Sequence, residues 1–391
     1  MFRKWWLLLC VFAPCVYGQW QITPAVELGA RQYNSDSARA QQTHNFAWDP
    51  RLWLELDYRS RASGIQAHIK PVVTVAATNS ALPEWDLQEA YLQKTFYNWQ
   101  LSAGMNTVFW GVAESRHLVD IVNQRIPARN FEGEEKLGEL LVQVDYFTEN
   151  GTLSLLSMPW FRSRDYSQPD ERFSLPVAIS QERFVGLSEH TRESLALRYA
   201  TVLDDWDVGA YFFHGLDKTP AFEITEQGQG QAIYSALQQW GLDAQYTSER
   251  WLGKLEAVHR NHDYGGSSWA YTLGGEYYFY GVAGSSKDLS LLLELHRDTD
   301  AEARENQIYR NSSFVGSRLA WNDTDATTLL LGALIDNGGD SIAIKGEFET
   351  RIHSQLSLDI EARMFVEQQP QQPLYLYRDD DFIEVRLTYY L

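Results

Sequence analysis

Ser115, His117 and Asp120 lie within a six-residue span of the stretch VFWGVAESRHLVDIVNQ (Val108–Gln124), with Glu114 and Arg116 beside them. A hydroxyl, an imidazole and a carboxylate are the groups of a nucleophilic relay, which works only when all three converge beside an oxyanion site. Ser115 and His117 could share the face of a strand. On a helix, two positions apart, they would diverge by about 200°. The G-x-S-x-G setting that lifts a nucleophilic serine clear of its neighbours is missing, because Ser115 is flanked by Ala113-Glu114 and Arg116-His117. A second chemistry breaks no bond: charges of both signs hung across an aqueous passage select ions by field and width. On that reading Glu114, Arg116, His117, Asp120 and Arg125 are the constriction residues. A third reading is an ordinary exposed loop. The run from His117 to Val122 (HLVDIV) is too apolar for free solvation, however, and should pack against something.

The elements that hold this stretch must be read from the other residues. Arg3 and Lys4 precede the uncharged apolar run Trp5–Phe12, and Val16 and Gly18 place small residues where a signal peptidase cuts. Residues 1–18 are therefore expected to be a secretory signal peptide, too short in its apolar run to span a bilayer. Both cysteines, Cys10 and Cys15, fall inside it, so a thiol-free mature chain excludes disulfides, thiolate metal sites and cysteine nucleophiles. Loss of Arg3 and Lys4 takes the formal net charge from −19 to −21, which argues against nucleic acid as a partner. No cofactor and no metal site is expected, since the acidic segments have no EF-hand spacing.

Mean hydropathy is only −0.37, yet aromatics make up 14% of the chain, with 14 Trp and 21 Tyr. No segment beyond residue 18 is long and apolar enough for a membrane helix. A transmembrane β-barrel reconciles the two: alternate residues face lipid, and aromatic girdles raise the Trp and Tyr count.

The strand signal is explicit. Ile383, Val385, Leu387, Tyr389 and Leu391 point one way, with Glu384, Arg386 and Thr388 opposite. Leu356, Leu358, Ile360, Ala362, Met364 and Val366 alternate with Asp359, Glu361 and Arg363, and the segments at 51–59 and 341–352 repeat the pattern. A soluble sheet would bury its apolar face under a second layer, and no amphipathic helix is available to provide one. The pattern predicts about 18 antiparallel strands (16 is the next alternative) in one barrel domain over 19–391. Short turns such as Tyr97-Asn98 and Leu203-Asp204-Asp205 should face the periplasm, with longer links such as 34–48, 111–138, 161–191 and 367–380 outside. The tight link Asn337-Gly338-Gly339-Asp340 fits either side.

A barrel of this size encloses water rather than side chains alone. The alternation puts Arg51, Glu55, Arg59, Lys70, Lys254, Glu256, Arg318, Lys345, Glu347, Arg363, Glu384 and Arg386 on the lumen face as pore-lining residues. The two signs nearly balance there, so the acidic excess belongs to the loops. Segment 111–138 follows a wall strand and is expected to fold inward, with Leu118, Val119, Ile121 and Val122 holding it to the wall. The 161–191 link is long enough to cap the mouth.

Trp110-Gly111, Glu114-Ser115 and Val122-Asn123, together with the run Gly-Glu-Glu-Lys-Leu-Gly at 133–138, resemble a segment of porin-like proteobacterial outer-membrane proteins, most of them uncharacterised. The resemblance covers about a tenth of the chain. In that family an Asp follows the Asn, where this chain has Arg125-Ile126-Pro127. The resemblance implies a channel or transport-related barrel in the outer membrane of a Gram-negative bacterium. The expected function is passive diffusion of small polar or charged solutes. Its surroundings would be outer-membrane lipid and lipopolysaccharide, and a homo-oligomer is compatible with this class. Two alternatives stand beside it: an envelope component that handles lipid or hydrophobic compounds with an inner-membrane exporter, and an outer-membrane hydrolase.

Overall fold

Strands in lipid must satisfy every N–H and C=O among themselves, so a spanning sheet has to close. The computed structural model of the chain is such a closed barrel. It describes residues 19–391 except Ala38, Ala76, 130–131, 187–192, Ala303, Asp340, Gln368 and Gln371, and leaves out the side chains of residues 305 and 306. The expected signal peptide, 1–18, lies outside the described residues.

Of twenty-one strands among the described residues, Phe46–Trp48, Ile179–Val185 and Ala221–Ile224 are short additions, and the other eighteen form the wall. The first wall strand, Gln19–Tyr33, closes on the last, Phe382–Tyr390, in a register running from Ala25 opposite Tyr390 to Tyr33 opposite Phe382. Wall pairs are antiparallel, as the tight turns require. Ile179–Val185 pairs in parallel with the extended end of Gly230–Thr247.

Alternation becomes two surfaces. On Asp288–Asp298, Leu291, Leu293 and Leu295 are exposed outward, while Ser290, Glu294, His296 and Asp298 are buried inward. The exposed rings collect at strand ends. Trp20 meets Tyr58 (4.9 Å), Trp99 meets Tyr146 (4.6 Å), Trp206 meets Tyr246 (5.0 Å) and Trp251 meets Tyr277 (4.5 Å), ring centroid to centroid. Each pair is directly opposite across two neighbouring strands and sits beside the short turns. Cross-strand aromatic pairs stabilise such neighbours by about 0.2–1 kcal/mol each. Near the opposite rim, Phe212–Trp240 and His259–Trp269 pair in the same way. From Trp251 to His259 a strand rises roughly 26 Å along its own axis, enough for the apolar band of an outer-membrane barrel once tilted. The wall has the two-surfaced, aromatic-edged form of a membrane-spanning β-barrel.

Both ends of the wall lie on the side of the short turns, and the long links lie on the other. The length rule is not strict. The outer link 263–265 is only three residues, and the periplasmic link 280–287 carries the 3₁₀ turn Val282–Gly284. The ambiguous link after Thr328–Asp336 falls on the outer side. Inside the barrel, Phe161 and Tyr166 of the 161–178 segment pack on Leu216, Ala232 and Tyr234, while Phe173 joins a separate cluster with Phe314, Leu330 and Phe365. Arg172 ties that segment to Asp380 (2.7 Å) and lies over the Tyr33 ring (4.4 Å).

Candidate functional site

The stretch that prompted the chemical question leaves the wall after Trp99–Asn106 and returns at Glu139–Phe147. One side chain fastens both ends of it. Asn123 Oδ1 accepts the Val108 N–H (2.8 Å), and Asn123 Nδ2 donates to the Asn106 and Leu137 carbonyls (2.9 and 3.0 Å). Backbone bonds from Ile126 to the Glu135 carbonyl (2.9 Å) and from Leu137 to that of Gln124 (2.8 Å) fold the returning half back on itself.

Two wall carboxylates then grip its backbone. Glu256 Oε1 accepts the N–H groups of Val112 (2.7 Å) and Ala113 (2.9 Å), and its Oε2 accepts those of Leu118 (2.6 Å) and Val119 (3.2 Å). A carboxylate offers about four acceptor sites, and here all four are occupied. Glu294 takes the N–H groups of Glu114 (2.7 Å) and Ser115 (2.9 Å). Gly111 turns at φ 137°, and a Cβ there would lie 2.8 Å from Glu256 Oε1. Glycine is what lets the backbone approach the clamp this closely.

Side chains carry the attachment further round the wall. Glu114 pairs with Arg318 (2.5 Å) and Lys254 (3.6 Å). Glu132 pairs with Arg363 (2.5 Å) and Lys345 (3.2 Å), and Glu135 with Arg51 (3.0 Å). Arg129, 2% exposed, lies between Glu27 and Asp49. Burial alone would raise the carboxyl pKa values of Glu132 and Glu135. The cations facing each outweigh that and hold both well below the usual range. Glu134 faces open space yet sits deep in the barrel; burial, then the charge of Glu132, pushes it up to about 7.

The apolar run packs in one cluster with wall residues. Leu118, Val119, Ile121 and Val122 join Trp110 against Leu141, Leu156, Met158, Tyr211, Phe213, Leu237 and Val258. That stretch of wall does not keep the charged inner face seen elsewhere.

The five constriction residues separate into different roles. Glu114 faces the inner cavity. Arg116 is buried against Asp298 and under the Tyr309 ring (4.9 Å). Asp120 is also buried, paired with Lys136 (2.6 Å) and more distantly with Arg125 (3.8 Å). His117 packs edge-on to Phe109 (5.0 Å), and burial, aided by Arg125, lowers its pKa to about 4, so it is neutral near pH 7. Arg125 is the most open of the basic pair, with its side chain 27% exposed.

The residues expected to line the pore pair largely with one another. Glu55 pairs with Lys70 (3.1 Å), Glu347 with Lys345 (3.0 Å) and Glu384 with Arg386 (2.9 Å), while Arg59 is exposed near the periplasmic end. His117 is not the partner of Ser115. The Ser115 hydroxyl donates to Glu294 Oε2 (2.6 Å) and lies 2.9 Å from His296 Nε2, and His296 Nδ1 lies 3.0 Å from the Thr272 hydroxyl. Ser115 and His296 are both 3% exposed.

A cavity lies on each face of the loop. The outer one, about 190 Å³, is lined by Arg116, Arg125, Leu118, Phe173, Ile308 and Tyr377 among others. The inner one, about 340 Å³, is lined by eight carboxylates, Glu114, Glu134, Glu349 and Asp359 among them, against the two cations Arg318 and Arg386. Sequence reading missed Arg129, Asn123 as a fastener, Glu294 as a clamp and His296. The available signal was strand 206–216, WDVGAYFFHGL, where both faces are apolar and a covering segment is implied.

No known family model matches the chain, and no curated protein is similar to it in sequence. Its fold is shared with solved outer-membrane proteins. OccD3 (OpdP) of Pseudomonas aeruginosa superposes with a TM-score of 0.55 at 11% identity, over 95% of this chain and 90% of that one. Wzi of Escherichia coli, a carbohydrate-binding β-barrel involved in group 1 capsule assembly, gives 0.54 at 10% identity over 93% and 83%. OmpT of Vibrio cholerae, an outer-membrane protein in trimer form, gives 0.50 at 9% identity over 96% and 100%. At these identities the likeness is one of fold: the chain has the porin-like outer-membrane barrel architecture.

Proposed function

We propose that the chain is a passive outer-membrane channel for small polar or charged solutes, its lumen narrowed by residues 111–138. The observation that carries this reading is the attachment of one loop to inward-facing charges on strands around the barrel, with a cavity on each side of it. Glu114, Glu134, Arg125 and Arg318 face those cavities and would set ion preference. Arg116 and Asp120 act on it indirectly, by holding the loop in place. A homo-oligomer fits the reading. The enclosed Ser115 hydroxyl speaks against a hydrolase, and serine-directed phosphonates should leave the folded barrel unlabelled. The apolar surfaces inside the barrel are covered by loop side chains, which disfavours a lipid path. Reconstitution in planar bilayers tests the channel: stepwise conductance is expected, and a folded, inserted barrel without steps would end the proposal.

A further inference from the structure

The outer cavity has two unlike sides. Its polar side carries six basic side chains, Arg116, Arg125 and Arg260 among them, against five carboxylates, of which Glu132 is held by Arg363 and Lys345. Arg116 and Arg260 share the single carboxylate of Asp298. Arg125 and Lys136 share that of Asp120. Among the described residues the hydrogen bonds of Arg125 run through Nη2, to the His117 and Asp120 carbonyls (2.9 and 3.3 Å), which leaves Nε and Nη1 for a ligand. The acids on the far rim are already held: Asp217 by His262 (2.8 Å) and Arg304 (3.3 Å), Asp300 by Arg304 (3.0 Å). Asp165 is an exposed residue at the edge of the cavity. The other side of the cavity is apolar, with Phe173 stacked on Tyr377 (5.6 Å between centroids) beside Leu175 and Ile308.

A volume of 190 Å³ is smaller than the roughly 300–1,000 Å³ of pockets for drug-sized ligands. It exceeds the cavity of about 150 Å³ that accepts a benzene ring. We infer that the outer cavity is a binding site for a small organic carboxylate with a compact apolar body, its carboxylate on Arg125 and its body against Phe173, Ile308 and Tyr377. The Nε and Nη1 N–H groups of Arg125 can each donate a charge-assisted hydrogen bond to a carboxylate oxygen. The acidic inner cavity on the other face of the loop opposes onward passage of the same anion, so the ligand is retained on the outer side. This role rests on the channel reading; binding itself does not.

Benzoate, benzyl alcohol and benzylamine carry the same ring with negative, zero and positive charge. Calorimetric titration of the refolded barrel should show benzoate binding at least tenfold more tightly than either of the others. Arg125→Gln should erase that preference by about tenfold, the loss of one charge-assisted contact. In bilayers, benzoate added on the outer side should reversibly lower the current, and the same concentration on the periplasmic side should not. Benzylamine binding as tightly as benzoate, or no saturable benzoate binding to the wild-type protein, would overturn the assignment whatever the variant does. Conductance steps without benzoate binding would refute the site and leave the channel. Binding without steps would do the reverse.

Discussion

Replacing Glu256 by Gln exchanges one carboxylate oxygen for an NH₂ group and tests the grip on the loop directly. The amide keeps one acceptor oxygen, enough for one of the two N–H pairs at Val112/Ala113 and Leu118/Val119. The other pair then faces an NH₂ group, donor against donor. A buried donor left without a partner costs about 1–3 kcal/mol, so two of them weaken docking by about 2–6 kcal/mol. The smaller figure already corresponds to roughly a thirtyfold rise in the undocked population. Amide hydrogen exchange on the refolded barrel reads this population: residues 112–119 should exchange at least about thirtyfold faster in Glu256→Gln. The strand Trp251–His262 should stay as protected as in the wild type, which separates undocking from unfolding. Unchanged exchange at 112–119 in a folded variant would refute the clamp, and Glu256 would be only another lumen charge.

Three further outcomes follow from the same geometry. Arg129→Met removes the only ion-pair partner seen for Asp49 among the described residues, while Glu27 and Glu135 keep Arg51; chemical unfolding should show a loss of about 3–5 kcal/mol, and a wild-type midpoint would contradict it. Asn123→Ala cuts all three bonds at the neck of the loop, so added protease should cleave within 107–138 faster than in the wild type, and equal cleavage rates would speak against the fastening role. Glu134, raised to about 7, is neutral below that pH and charged above it; cation preference should therefore rise as the pH goes from about 6 to about 8, and the rise should vanish in Glu134→Gln. A pH-independent reversal potential in the wild-type channel would refute this titration.

Much of the barrel can be read along one dimension, because alternation is a local property. Leu358, Ile360 and Ala362 against Asp359, Glu361 and Arg363 declare a strand with two surfaces without reference to any other residue. The turn residues divide the strands, and their number follows. The docking of Leu118, Val119, Ile121 and Val122 was legible for the same reason, since an apolar run between charges has to be covered. What covers it was not legible. Tyr211 and Phe213 reach the loop from nearly a hundred positions away, and alternation alone assigns their face to water. Alternation assigns Glu256 to the lumen face, but its four partners are backbone N–H groups, which have no letter in the sequence. Ser115 and His117 drew attention by proximity along the chain. The fold separates them and gives Ser115 a histidine 181 positions away.

The clamps also set an order of assembly. Glu256 arrives 144 positions after Val112, and Glu294 arrives 180 positions after Glu114. Until both strands have joined the growing sheet, the loop has nothing to grip, and its apolar run is uncovered. Contacts this distant along the chain form slowly, and uncovered apolar segments are where partly built proteins associate wrongly. Seating of the loop therefore waits for the strand Asp288–Asp298, and protection of the amides at 112–119 would time that stage of assembly.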